Sequence, residues 1–333
     1  MICDAPISID NYRGCTHQCK YCFAARKERE LNHKKVLPIS DAVNKVKRFL
    51  EGQRTKELSF IDFNIPLHWG GASDPFQPVE KKYRSSYEIL KLFAKSKYPL
   101  IISTKGRLIA EQQYLELIKE CNAVVQISML CSKYDAIEAG CPSFEERLEM
   151  LKKVSKVAKR TIVRCQPYLP EIKSDVLKNI KRFADCGAYG VIFEAMRFIR
   201  KKEGLEKVAG DYVFPKERLR QDFLSLRNEC HKYGLKFFSG ENRLRTMGDS
   251  LCCCGFEGLE GFTPLTYNAN HILLDKTGKS VVETPAMSAK GSGFQALHSC
   301  KQRAGNAIYR DITYKELVNK ILLEENNLNK LLG

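Results

Sequence analysis

One tryptophan, six histidines and only 12 prolines stand out as scarce in this 333-residue chain. No apolar run approaches the roughly 18 residues that a bilayer-crossing helix needs, which excludes a membrane-spanning helix. The first fifteen residues, MICDAPISIDNYRGC, lack a basic segment followed by an apolar core, so no secretory signal is expected. The expected setting is soluble and cytoplasmic, with no membrane partner. Low-complexity tracts and internal repeats are also missing, which argues against a solenoid or fibrous chain. Length and a hydrophobic share of 44% suffice for a full-sized core, in one large domain or two smaller ones.

Negative charge is scarce as well. Asp and Glu number 39 against 55 Lys and Arg, a formal net charge of +16. Such an excess favours an anionic partner, DNA or RNA, because neutralised phosphates release counterions. Many of the basic residues (Lys45, Lys47, Arg48, Lys152, Lys153, Lys156, Lys159, Arg160) fall in helix-like stretches, where they can equally form a solvated outer face.

Cysteine, by contrast, is plentiful at fourteen. In a reducing compartment these do not build a disulfide framework, so metal or redox chemistry gains weight. Cys121, Cys131, Cys141, Cys165, Cys186 and Cys230 are spread singly and read as small buried hydrophobes. Only Cys15, Cys19 and Cys22, and Cys252, Cys253 and Cys254, are clustered.

Apolar, β-branched runs at 7–10, 60–69, 100–104, 123–129, 161–167, 190–195 and 235–239 read as strands. Between them, segments near 40–51, 80–97, 111–120, 144–159, 174–186 and 216–233 carry apolar stripes at helical spacing. Ser40 suits a simple N-cap, and Ser143 with Glu146 a capping box. Strand and helix alternating six or seven times predict an α/β fold with a parallel sheet, a partial (β/α)6 TIM-type barrel. In such barrels chemistry gathers at the C-terminal strand ends. The rhythm breaks after about 245, giving a core of 1–245 and a C-terminal extension of 246–333 with a Cys-rich loop. A short strand (271–274), a Gly/Ser loop (288–293) and a final helix (314–323) are expected in the extension.

Cys15, Cys19 and Cys22 stand at CxxxCxxC spacing just after the first strand. Three thiolates can hold three irons of a [4Fe–4S] cluster and leave the fourth open to chelate a ligand. A structural zinc site with Cys3 or His17 as fourth ligand competes with this reading, as does a ferredoxin-like cluster. Tyr21 before the last cysteine and the position after strand one favour the open cluster.

The triad resembles the radical S-adenosylmethionine (SAM) superfamily. The segment Trp69-Gly70-Gly71-Ala72-Ser73-Asp74-Pro75-Phe76-Gln77-Pro78-Val79-Glu80 resembles a motif of its spore photoproduct lyase-like branch (DNA repair photolyase-like), over about 1–240. The resemblance implies a [4Fe–4S] cluster on the triad and SAM as cosubstrate. Reductive cleavage of SAM would give a 5′-deoxyadenosyl radical that abstracts hydrogen from a substrate. It also implies an electron donor such as ferredoxin or flavodoxin. By position, Tyr21 would approach the adenine. Gly70, Gly71 and Ser73 would meet the methionyl amino group, Thr104 and Lys105 the carboxylate, and Ser128 another part of SAM. Arg164 or Gln166, with Glu194, would line the same mouth.

The branch's lyase uses a cysteine between the triad and the third strand, and none lies between Cys22 and Cys121 here. Tyr83, Tyr87 and Tyr98 are alternative hydrogen relays. In the second cluster, two of Cys252, Cys253 and Cys254 with Cys300 would suit an auxiliary Fe–S or zinc site. Cys253 could instead be a hydrogen donor, its pKa lowered by Arg243 or Arg245. Nucleic-acid repair or modification is the favoured function, with Arg197, Arg200, Lys201 and Lys202 as a basic rim. A peptide or small-metabolite substrate, or a non-catalytic nucleic-acid-binding Fe–S or zinc module, are the alternatives.

Overall fold

The computed structural model describes residue 5 and residues 7–27, 35–53, 64–208, 210–263 and 278. Cys3, Cys300 and the elements expected at 271–274, 288–293 and 314–323 lie outside them. Seven parallel strands make the central sheet: β1 (Ile7–Ile9), β4 (Leu67–Trp69), β5 (Leu100–Thr104), β6 (Ala123–Ser128), β7 (Arg160–Tyr168), β8 (Gly190–Ala195) and β11 (Lys236–Ser239). They pair in that order, and β1 and β11 are its two edges, so the barrel is partial and open. Two small antiparallel pairs stand apart: β2 (Tyr12–Arg13) with β3 (Leu37–Pro38), and β9 (Glu206–Val208) with β10 (Asp211–Val213).

The helices are α1 (Phe23–Lys27), α2 (Ala42–Leu50), α3 (Glu80–Tyr83), α4 (Ser85–Ser96), α5 (Gln112–Glu120), α6 (Phe144–Val154), α7 (Lys173–Asp185) and α8 (Lys216–Lys232). None of the described helices is long and apolar enough to cross a membrane. Helices cover one sheet face and the strands turn the other inward, so both faces are shielded from water and β6 is buried along its whole length. The side-chain period of two separates the layers. Ile102, Val125, Val163, Val191 and Phe237 belong to the outer core under the helices. Ile101, Val124, Ile162, Ile192 and Phe238 point into the barrel, where Cys252, Cys254, Phe256 and Phe262 pack on them.

That last group forms a floor. Arg160, the first residue of β7, donates to the carbonyls of Gly255 (3.1 Å) and Glu257 (2.7 Å). Thr263 N–H donates to Asn64 O, just before β4, at 2.8 Å. The Cys-rich loop therefore closes the N-terminal end and leaves the C-terminal end as the mouth.

Three local details depart from the sequence reading. The helix expected at 80–97 breaks at Arg84, which adopts a left-handed φ of 52°. The cause is Glu80: its buried carboxylate accepts from Ser86 N–H and Tyr87 N–H, both at 2.9 Å, and so caps α4. Helix α2 starts after Asp41, not Ser40, without a side-chain cap. Helix α6 stops at Val154, five residues short of the expected end, while its Ser143–Glu146 capping box forms as expected.

Candidate functional site

The triad loop leaves β2 and runs into α1, with a turn from Cys22 N–H to Cys19 O at 3.0 Å. Two neighbouring loops hold it. From the β4 side, Gln77 Oε1 accepts from Thr16 N–H (2.8 Å), and Ser73 Oγ donates to Gly14 O (2.7 Å). From the β6 side, Lys20 N–H donates to Ile137 O (3.0 Å) and Gly140 N–H to His17 O (3.1 Å). Gly140 is glycine because a Cβ there would lie 2.4 Å from Thr16 O. All three thiols are left partly exposed.

His17 is not available as a fourth ligand. Its Nδ1 lies 2.9 Å from Gly140 O and its Nε2 3.2 Å from Asp74 Oδ2, so both ring nitrogens face acceptors. Burial opposes its charge, but Asp74 and the carbonyl outweigh that and raise its pKa. Asp74 in turn accepts from Thr104 Oγ1 (2.7 Å), Lys105 N–H (2.6 Å) and Phe76 N–H (2.8 Å). Burial alone would raise its pKa, yet His17 and these donors hold it below the usual carboxylate range.

The glycine loop after β4 hangs on Asp10, at the end of β1, which accepts from Ala72 N–H and Ser73 N–H at 3.1 and 2.9 Å. Gly70 has φ 91°, and a Cβ would lie 2.2 Å from Ser103 O. Gly71 has open space, its nearest neighbour to such a Cβ being Asp10 Oδ2 at 3.9 Å. Of the residues expected to touch SAM here, Gly71 leaves the backbone open. Ser73 and Thr104 turn their hydroxyls to Gly14 and Asp74.

Lys105 reaches across the mouth. Its Nζ lies 4.0 Å from Glu138 Oε1 and 5.7 Å from the Tyr21 ring centroid. Tyr21 hydroxyl donates to Glu138, which is fully buried and paired with an equally buried Arg147 at 2.6 Å. Burial raises the Glu138 pKa to about 7, with Arg147 pulling the other way. Arg147 also donates to Ser128 O at 3.0 Å, tying the end of β6 to this cluster.

Between mouth and floor a polar belt crosses five strands. His68 Nε2 lies 2.8 Å from Ser103 Oγ, which donates to Gln126 Oε1 at 2.8 Å. Arg164 donates to Gln126 Oε1 (2.9 Å) and Gln166 Oε1 (2.6 Å) and stands 3.9 Å from Glu194. Burial raises the Glu194 pKa against Arg164 and Arg197. Cys253 joins the belt from below: a hydrogen bond from Cys254, helped by Arg245 and Arg164, holds its thiol well below the usual value. Cys252 and Cys254 instead sink into the apolar floor. Arg243, also considered for Cys253, pairs with Glu206 and Glu241.

Sequence reasoning missed Asp10, Glu138, Arg147 and Cys141. Cys141, expected to be an idle buried thiol, is partly exposed with Sγ 3.7 Å from Cys19 Sγ. Its hydrogen bond, with Lys105 and His17 adding and burial opposing, lowers the Cys19 pKa to about 6. Beside Tyr21 opens a cavity of about 490 Å³, lined by Tyr134, Met196 and Phe198 and edged by Lys20, Arg200 and Lys202. Arg197 of the expected rim turns instead to Glu194 (3.7 Å) and Asp211 (4.0 Å).

Three partly exposed cysteines on one loop are the soft donor set that an iron–sulfur cluster takes. Among the described residues, no three His, Cys, Asp or Glu side chains are gathered tightly enough to hold one metal ion. A tetrahedral zinc with sulfur at about 2.3 Å would draw its thiolates to within about 4 Å of one another.

Comparison with known proteins agrees. The family model described as "Radical SAM superfamily" matches residues 12–184, more than half of the chain. An uncharacterized protein of Mycobacterium tuberculosis is 28% identical over 197 residues, covering 55% of this chain and 56% of that protein. Another, of Methanocaldococcus jannaschii, is 22% identical over 169 residues, covering 49% and 61%. The chain thus spans about half the length of the curated relatives it matches. A spore photoproduct lyase double mutant with bound AdoMet and dinucleoside spore photoproduct superposes with a TM-score of 0.56 at 14% identity, over 69% of this chain and 75% of that one. The lyase complexed with dinucleoside spore photoproduct gives 0.56 at 15%, over 71% and 76%. At such identities the likeness is one of fold. The chain belongs to the radical SAM superfamily.

Proposed function

We propose that this protein is a radical SAM enzyme that acts on nucleic acid, in repair or base modification. Cys15, Cys19 and Cys22 would hold the [4Fe–4S] cluster. When bound, that cluster would supply the electron that cleaves SAM to a 5′-deoxyadenosyl radical. Tyr21 and Lys105 offer SAM a ring face and a cation within one cluster of contacts. The Gly70–Gly71 turn and Ser73 form the neighbouring wall, Thr104 fixes the strand end that carries Lys105, and the Ser128 carbonyl holds Arg147 of α6 against the end of β6. Arg164 and Glu194 stand deeper, where they would position substrate. Cys253 would return hydrogen from the bore. The core is assigned to 1–245 and the extension to 246–333. An acidic carrier such as flavodoxin or ferredoxin would supply electrons in a cytoplasmic setting.

The cavity beside Tyr21 carries the substrate assignment. Its aromatic and apolar wall suits a base taken out of its stack, and its cationic edge suits the flanking phosphates. The test is anaerobic reconstitution, dithionite reduction and chromatography for 5′-deoxyadenosine, beside oligonucleotide binding by anisotropy. Binding should weaken steeply with salt, and a Lys20→Glu/Arg200→Glu/Lys202→Glu chain should lose at least tenfold in affinity and flatten the salt slope. 5′-Deoxyadenosine without salt-dependent binding would move the substrate to a peptide or metabolite. Binding without 5′-deoxyadenosine from a loaded cluster would leave only a binding module.

A further inference from the structure

We propose that Cys141 is a positioning residue for the cluster: its thiol donates a hydrogen bond to the Cys19 sulfur and raises the cluster's reduction potential. This rests on the cluster reading of the triad. The two sulfurs stand 3.7 Å apart, and in the free thiols either can be the donor. Iron removes the ambiguity. A cysteine that ligates iron has lost its proton and can only accept, so Cys141 must donate.

The contact is built by the fold and not by a chance rotamer. Cys141 lies 122 residues from Cys19 in sequence. It arrives on a loop clamped to the triad by Lys20 N–H to Ile137 O, Gly140 N–H to His17 O and His17 Nδ1 against Gly140 O. Cys141 N–H itself donates to Glu138 O at 2.8 Å, which closes the turn carrying the thiol. The absence of a side chain on Gly140 allows its backbone to meet the triad loop, since a Cβ there would lie 2.4 Å from Thr16 O. Reduction adds negative charge to the cluster and its sulfurs. A donor to a ligand sulfur therefore stabilises the reduced state more than the oxidised one, and the potential rises.

The test is potentiometric titration of the reconstituted full-length chain, without SAM or substrate, read by electron paramagnetic resonance of the reduced cluster. Cys141→Ala and Cys141→Val remove the donor, the second while filling its space. Cys141→Ser keeps an O–H, and Cys131→Ala deletes a thiol buried in the outer core. We expect the alanine and valine chains to show a three- to tenfold lower ratio of reduced to oxidised cluster at fixed potential, about 30–60 mV at 59 mV per decade. The serine chain should stay near wild type and Cys131→Ala should not move. Equal potentials in wild type and whichever apolar variant loads iron would overturn the proposal. So would Mössbauer spectra showing Cys141 as an iron ligand, or iron held by the serine chain but by neither apolar variant, since both make Cys141 a ligand. A wild type that holds no four-iron cluster would instead sink the cluster reading itself.

Discussion

Two groups of three cysteines sit at opposite ends of one barrel, and the same side chain behaves differently in each. At the mouth, Cys15, Cys19 and Cys22 are partly exposed on a loop held by backbone hydrogen bonds; His17 and Lys105 stand as cations beside Cys19, while burial and Asp74 push the Cys15 thiol up to about 12. At the floor, Cys252 and Cys254 are each 3% exposed among Ile101, Val124, Ile162 and Phe238. A thiol among apolar side chains is a small hydrophobe, whereas one beside cations gives up its proton and becomes a ligand or nucleophile. Cys253 shows how local the distinction is. It sits between two floor residues yet turns to Arg245 and Arg164. Environment, more than the number of cysteines, separates the proposed cluster end from the packing end.

The largest effect should come from breaking the mouth alone. Cys22→Ala should abolish cluster retention, read as iron content, and bring 5′-deoxyadenosine to background. With both chains cluster-free, its unfolding free energy should differ from wild type by no more than about 0.5 kcal/mol, because the side chain is partly exposed. Cys254→Ala is the matched control and should load iron as wild type does. If Cys254→Ala also lost iron, the division between the two ends would fail.

Only one side of this division was legible in sequence: the triad read as a cluster site, whereas Cys252–Cys254 read as an auxiliary metal site or a hydrogen donor, and the packing of Cys252 and Cys254 is written by the fold. All seven central strands and most of the helices between them followed from β-branched runs and apolar stripes, because local burial writes those periods directly; the short α1 did not. The CxxxCxxC spacing marked the triad because one loop supplies all three thiols. Cys141, Glu138 and Arg147 left no such signal, since each acquires its partner through the fold. Glu138 meets Tyr21 across 117 positions, and no local pattern distinguishes it from a surface glutamate. Ser73 and Thr104 show the converse. Small polar residues at strand ends were read as ligand contacts, and their hydroxyls are taken up by Gly14 and Asp74. The break at Arg84 escaped because the cap comes from Glu80, within what reads as one helix.

A smaller effect, with the opposite signature, should follow from breaking the floor. Phe256 is fully buried, stacked on Phe262 with ring centroids 5.6 Å apart. Phe256→Ala removes that ring from the barrel interior and should cost about 3–5 kcal/mol of unfolding free energy in urea. At temperatures where the variant is still folded, iron content and cluster absorbance should match wild type. Loss of iron in step with stability would mean that floor and mouth form one cooperative unit.

The smallest effect probes the bore between the two ends, and its sign is fixed by proton linkage. Ser103 has one hydroxyl hydrogen and gives it to Gln126, so His68 Nε2 must be the donor in its contact with Ser103, which fixes the tautomer of the neutral ring. Burial, with Arg164 adding, lowers the His68 pKa to about 3 from the usual 6.5. Below pH 6.5 the unfolded chain takes up a proton that the folded chain refuses, so stability falls as pH drops from 6.5 toward 3. Between pH 8 and pH 5 that amounts to up to about 2 kcal/mol. Other groups titrate over the same range, so the measurement is a difference: urea unfolding of wild type and His68→Gln at both values. Glutamine keeps a donor for Ser103 and has no proton to refuse, so the variant should lose less stability on acidification. With that result the bore at β4 disfavours a cation, through burial and through Arg164. Identical losses in the two chains would mean that His68 titrates as it does in water, and that the solvated mouth extends down to β4.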